Sequence, residues 1–270
     1  MCIRDSTYGD ASAKFRDFDT DRYGVYGEMT YPLTSRLKLT TGLRQSWDRK
    51  TYNARYHGGG MVQTDSRKLD DSFTTGRIGL SYALTQQATL YATYARGYNP
   101  GGFNDYAAQP DDSKPYKAAK TDSFEVGFKT DSADGQYGLN GAVYLNRVRN
   151  NHLLSYDSAT YVVSALNADT ESRGAELQAV WRPGDGLAFT AGVSFIDAQI
   201  KTAVHGIGDG DVQAGNRVPD VSRWNGTLGV TYRKPLPAFL GLSAPVLHAR
   251  VDYQYVGKRA ADPQNHFDLD

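Results

Sequence analysis

The residues able to do chemistry in this chain are scattered carboxylates, guanidinium groups and five histidines, and their spacing decides what they can do. Glu28, Arg44, Arg77, Glu125, Lys129, Glu176, Arg182, Arg250 and Asp252, with Arg22 and Lys38, fall at alternate positions of runs that are otherwise apolar. A period of two on a strand sends such charges to one face. That face suits a hydrated polar wall, or ion pairs to a packed partner, rather than bond-making chemistry. Arg96, Tyr98 and Asn104 gather where an alternating run gives way to a glycine-rich segment, and could contact an anionic, aromatic chelate. His57, His152, His205 and His266 fall in expected loops and His248 on the charged face, without the spacing of a metal site. His205, Asp209 and Asp211 could activate a water in a rim hydrolase, a minor alternative, so no catalytic residue, metal or cofactor is assigned. The run from Gly206 to Asp211 lacks the remaining ligands of a calcium loop. Gly58-Gly59-Gly60 lacks the strand–loop–helix setting of a phosphate cradle.

The elements that must position these residues are strands. In Leu247–Tyr255, Leu247, Ala249, Val251, Tyr253 and Tyr255 oppose His248, Arg250, Asp252 and Gln254. Trp224–Arg233, Leu187–Asp197 and the segments around 22–31, 123–129 and 175–182 alternate likewise. Further strands fit at 36–48, 72–82, 89–98 and 138–148, giving about ten, although 89–98 leaves its face ambiguous. No stretch approaches the ~18 consecutive apolar residues of a membrane helix. A β-barrel escapes that test because only alternate residues meet lipid. The 19 tyrosines suit a membrane interface, and Tyr91, Tyr94, Trp181, Trp224, Tyr253 and Tyr255 are expected in aromatic girdles. Thirty basic and thirty acidic side chains cancel, which argues against nucleic acid as partner. The single cysteine, Cys2, excludes an internal disulfide.

Short turns are expected at 32–36, 84–88, 131–137 and 183–186, and a longer one at 234–245, all rich in turn formers. Long polar loops are expected at 49–71, 99–121, 149–169, 201–221 and from 257 onward. In outer-membrane barrels short turns are periplasmic and long loops extracellular. Residues 1–20 are set aside as a non-native or loop leader, Met1–Ser6 having no strand pattern, and 21–270 form the barrel segment. Strand direction then puts both ends on the loop side, so an internal segment of a longer barrel is expected. The alternative of a soluble β-sandwich or propeller usually has shorter, less lopsided connections.

Four stretches carry a family resemblance. Leu90–Asn104, with Tyr94-Ala95-Arg96-Gly97-Tyr98-Asn99-Pro100-Gly101-Gly102, resembles a strand of TonB-dependent outer-membrane receptors running into an outer loop. Lys120–Lys129 looks like that family's E-x-G-x-K strand. Asn167-Ala168 with Arg173–Leu177 resembles its N-A … G-x-E strand start, and Gly215–Pro219 its G-x-x-x-P loop end. The resemblance implies an all-β antiparallel transmembrane barrel of about 22 strands with a plugged lumen. It implies energised import of a scarce nutrient, such as a ferric siderophore, haem or a cobalamin-like ligand. The implied partners are outer-membrane lipid, the nutrient chelate and TonB, the last through an N-terminal region not present here. The plug domain is likewise expected to be missing from this chain, and a monomer is expected. A passive porin-type channel shares the barrel evidence and is the alternative.

Overall fold

The computed structural model describes residues 3–6, 13–58, 61–104, 115–158, 162–205, 209–237 and 244–270. Among them there are strands and no helix. Eleven strands form one antiparallel sheet: β1 (Ile3–Ser6), β2 (Ala13–Pro32), β3 (Leu37–Gly58), β4 (Met61–Ala83), β5 (Ala88–Asn99), β8 (Ala119–Asp131), β9 (Tyr137–Asp157), β10 (Val162–Gly184), β11 (Leu187–Ile200), β12 (Trp224–Pro235) and β13 (Val246–Val256). They pair in chain order, and the sheet is open, with β1 and β13 at its edges. Two short hairpins, β6 (Gly102–Phe103) with β7 (Pro115–Tyr116) and β14 (Arg259–Ala260) with β15 (Asp268–Leu269), lie in the connections.

The short connections fall at the expected turns. Between β10 and β11 the chain reverses through Gly184, Asp185 and Gly186, all at positive φ. A Cβ on Gly186 would stand 1.7 Å from the Arg233 carbonyl oxygen, so glycine is the residue that this turn admits.

Antiparallel partners share a face, so the register sorts the side chains. One face, here called outer, carries Tyr23, Val25, Met29 and Tyr31 on β2, opposite Trp47, Gln45, Thr41 and Leu39 on β3. It continues through Ile78 and Leu80, Tyr94 and Ala92, Phe124 and Val126, Val143, Leu177, Val193, Leu228, Val251 and Tyr253. Most of these large apolar side chains are exposed, a band far beyond what a water-facing surface tolerates. Two aromatic rows bound it. Toward the loops Tyr94 packs on Phe124 at 4.8 Å and Phe195 on Trp224 at 4.9 Å. Toward the turns Trp181 stacks on Phe189 at 5.3 Å. On β12, Trp224 and Tyr232 mark the two rows, about 26 Å apart along the strand. The nine residues from Trp224 to Tyr232 are within the roughly 9–11 that a tilted strand uses to cross a membrane.

Three expectations change. The segments 49–71 and 149–169 are largely strand, because β3 with β4 and β9 with β10 continue past the band as long hairpins. Beyond the lipid neither face needs to be apolar, so the alternation that marks a strand fades while its hydrogen bonds persist. In the second hairpin the phase also shifts at a bulge, where Asn150 has φ 53° and its N–H donates to Asp169 at 2.8 Å. Below the bulge Val148 faces inward; above it Asn151, Leu153 and Ser155 do, the last two buried. Lastly, β1 pairs with the start of β2, and β2 begins at Ala13, so part of the expected 1–20 leader is in the sheet; residues 1–2 and 7–12 lie outside the described residues.

Candidate functional site

The inner face is a polar wall within the band. Arg77 reaches Glu28 through two hydrogen bonds of 2.9 and 2.7 Å, spanning the whole of β3. The residue between them is Gly42, opposite both in register, and a Cβ there would meet the Glu28 carboxylate at 3.2 Å. Arg250 grips Asp252 with two bonds of 2.7 Å. Arg44 donates to Ser46 and lies over the Tyr26 ring, and Lys129 lies over Tyr91. Glu125 and Glu176 line a cavity of about 480 Å³ with Tyr144, roofed by Val218 and Val221. Arg182 donates to the Gly135 carbonyl at the turn end. The nine expected wall charges therefore all lie on the inner-face side of the register.

Tyr91 is a correction. It is three residues from Tyr94, and a strand cannot present both to one face. The register turns Tyr91 inward, where its hydroxyl donates to Glu125 at 2.7 Å. Tyr94, Trp181, Trp224, Tyr253 and Tyr255 are on the outer face, but Tyr253 is a second correction: it pairs with Leu228, midway between the two aromatic rows, and so belongs to the lipid-facing band and not to a girdle.

Above the wall the inner face becomes a vestibule. Asp48 is buried and accepts from Arg22 at 3.1 Å, with Lys50 3.7 Å away. Lys50 also donates to the Gly101 carbonyl at 2.6 Å, which pulls the β5–β6 connection inward. Phe103 stacks on Tyr52 at 5.5 Å and, with Ala54, Tyr56 and Leu69, makes a small apolar core. Tyr98 stacks on Phe73 at 3.7 Å, and its hydroxyl bonds Asp71. Burial, and then the Asp71 carboxylate, push that hydroxyl far above the usual phenol range. On the other side the 201–218 connection folds over β9, β10 and β11 through Val204, Val212 and Val218, packing on Leu153, Ala168 and Ile200.

The three residues expected to share a substrate do not converge. Arg96 is on the outer face, bound to Asp122 at 2.7 Å, because it keeps the parity of Tyr94. Asn104 has both ends of its amide on the Ala165 backbone, fastening a loop to β10. Tyr98 shares the parity of Arg96, but the pairing of β4 with β5 ends at Arg96, and beyond it the Tyr98 ring lies against Phe73 with its hydroxyl on Asp71, so of the three only Tyr98 reaches the vestibule. Lys50, Asp71 and Phe103 were missed because 49–71 and 99–121 read as loop, while Asp48 and Phe73 stand at the ends of the expected strands 36–48 and 72–82 and were not singled out. The unbroken parity of Trp47-Asp48-Arg49-Lys50 was the available signal.

The histidines are dispersed. His152 sits between Asn99, Lys117 and the Tyr116 ring. His57 packs on Phe15, His248 pairs with Arg233, and His266 lies near Asp262. His205 bonds Asp211 at 2.7 Å, while Asp209 is held by Ser158. Among the described residues no three metal-binding side chains cluster. Gly59, Gly60 and Gly206–Gly208 lie outside the described residues.

An apolar outer band between aromatic rows, backed by a charged inner wall, defines a wall segment of an outer-membrane β-barrel. The family model described as TonB dependent receptor-like, beta-barrel, matches residues 3–270, and the chain belongs to that family of outer-membrane proteins. It is 28% identical over 222 residues to the pesticin receptor of Yersinia pestis, covering 79% of this chain and 31% of that protein. It is 25% identical over 231 residues to a probable TonB-dependent siderophore receptor, PiuA, of Acinetobacter baumannii, covering 80% and 30%. The solved ferric yersiniabactin uptake receptor FyuA from Yersinia pestis superposes with a TM-score of 0.78 at 23% identity, over 95% of this chain and 37% of that one. The chain thus spans about a third of the length of these relatives.

Proposed function

We propose that this chain is part of the barrel wall of an outer-membrane receptor that takes up a scarce metal chelate, such as a ferric siderophore, with energy delivered through TonB. The observation that carries this is the vestibule: Tyr98 on Phe73, beside Asp71, Asp48, Arg22 and Lys50, under two inward-folded connections. Its two cations face two carboxylates, so recognition would rest on ring stacking and shape more than on net charge. The names of the relatives support a siderophore as cargo, and family membership supports energised uptake over a passive pore. The inner wall would face a plug, with the Glu28–Arg77 and Arg250–Asp252 pairs as its contact groups. The protein is read as a transporter and not an enzyme because the family whose model it matches is one of receptors; the His205–Asp211 pair is an exposed ion pair at the rim.

Ferric complexes of phenolate, catecholate and hydroxamate siderophores, titrated against the full-length receptor by fluorescence quenching, test the reading. One of them should bind, and Tyr98→Ala should weaken it about tenfold, as loss of a ring contact and a hydrogen bond would. Equal binding by wild type and variant would remove the vestibule from ligand recognition.

A further inference from the structure

Just beyond the loop-side aromatic row, the outer face carries a charged layer that has no part in the vestibule. Arg96, Asp122, Arg147, Glu171 and Gln199 stand opposite one another in register, one continuous row across β5, β8, β9, β10 and β11. Arg149 reaches Asp122 at 3.2 Å, Arg173 and Lys201 reach Glu171 at 2.8 and 3.8 Å, and Arg223 reaches Asp197 at 3.4 Å. Six cations therefore surround three carboxylates. They also differ in depth. The Asp122 and Glu171 side chains are 16% and 13% exposed, whereas Arg96, Arg147, Arg149 and Arg173 are 51–69% exposed. Asp122 and Glu171 are the half-buried anchors of an array whose accessible surface is mostly cationic. A guanidinium has five N–H donors in a fixed fork, so donors remain after a carboxylate is bound. On the β3–β4 side the corresponding pair, Arg49 with Asp70, is exposed in both partners and has no such excess.

The position selects the occupant. The row is two residues past Tyr94 on β5 and Phe124 on β8, about 7 Å along the strand, and four past Phe195 on β11, about 13 Å. That is the zone between the ~30 Å hydrocarbon core and the outer limit of the headgroups. With the short turns periplasmic, it is the outer leaflet. Phosphate groups are anions that forked guanidinium groups bind through two parallel hydrogen bonds. We propose that this row is a docking surface for the phosphate groups of an outer-leaflet phosphorylated glycolipid, held by Arg96, Arg147, Arg149 and Arg173 while its acyl chains lie on Phe124, Val126 and Val143.

The full-length receptor, extracted in a neutral detergent and offered lipid A in its bisphosphorylated and dephosphorylated forms, tests this by native mass spectrometry. The bisphosphorylated form should be retained, the dephosphorylated form lost, and excess inorganic phosphate should not displace the lipid. R147Q/R149Q/R173Q should reduce retention about tenfold or more, and Arg49→Gln should leave it unchanged. Equal retention of the two lipid forms by wild type overturns the proposal even if the triple variant does not fold. So does undiminished retention by a folded triple variant, or displacement by free phosphate. None of these readouts depends on siderophore binding, so the uptake reading stands or falls separately.

Discussion

Replacing Leu228 with arginine tests the assignment of faces on which everything else depends. Leu228 lies midway between Trp224 and Tyr232 on β12, about 13 Å along the strand from each aromatic row. It faces out, opposite Ala191 and Tyr253, and is 58% exposed. In the receptor that exposure is to lipid. A guanidinium at the middle of the band costs about 2–4 kcal/mol. That is a loss of about 30- to 1000-fold in the folding equilibrium. The neighbour Thr227 faces inward, opposite Gly192 and Gln254, and arginine there should cost under about 1 kcal/mol. The native chain already shows the gradient: Lys234 keeps the outer parity but lies past Tyr232, at the turn-side rim where such cost falls to about 0–1 kcal/mol. Urea-driven unfolding of the full-length receptor from lipid vesicles, followed by tryptophan fluorescence, measures both variants. Equal destabilisation by Leu228→Arg and Thr227→Arg would refute the two-faced wall.

Two further outcomes follow from the charged groups beyond the band. The Tyr94 hydroxyl, Arg96 and Arg149 hold the Asp122 carboxyl below the usual carboxylate range, and Arg173 and Arg147 do the same for Glu171. Both groups therefore bind protons less readily folded than unfolded. Their contribution is complete above about pH 5, and it is lost as pH falls through their folded values. The unfolding midpoint should be flat near neutrality and drop in acid, less steeply in Asp122→Asn; identical acid slopes would show that the row does not matter to stability. Removing Asp48 as alanine leaves the largely buried Lys50 without its carboxylate, at about 1–3 kcal/mol. Amide exchange at Gly102 and Phe103 should then accelerate, and an unchanged rate would mean that the loop is held by its aromatic stack alone.

What could be read from the sequence followed the lipid. Leu247–Tyr255 and Trp224–Arg233 were legible because a bilayer outside and a polar interior enforce strict alternation. Tyr91 and Tyr94 were not, since Leu90, Ala92 and Ala95 between and around them are small or apolar on both parities and leave the face open. Arg96 was misread for a related reason. A charge near a loop suggests a ligand, yet parity alone puts it beside Tyr94 on the outside. Above the aromatic row the pattern is silent, and the vestibule depends on contacts between distant segments such as Lys50 with Gly101 and Phe73 with Tyr98.

The bulge at Asn150 divides the β9–β10 hairpin into two grammars. On one side the order of side chains answers to the membrane; on the other it answers to the small apolar core under the 201–218 connection. An outer tip exchanged between related barrels would therefore keep its facing only if the donor brought its own phase shift, or if the cut fell beyond it. A single inserted residue gives such a barrel a place where its exterior can diversify against new ligands, phages or antibodies while the part in lipid stays the same.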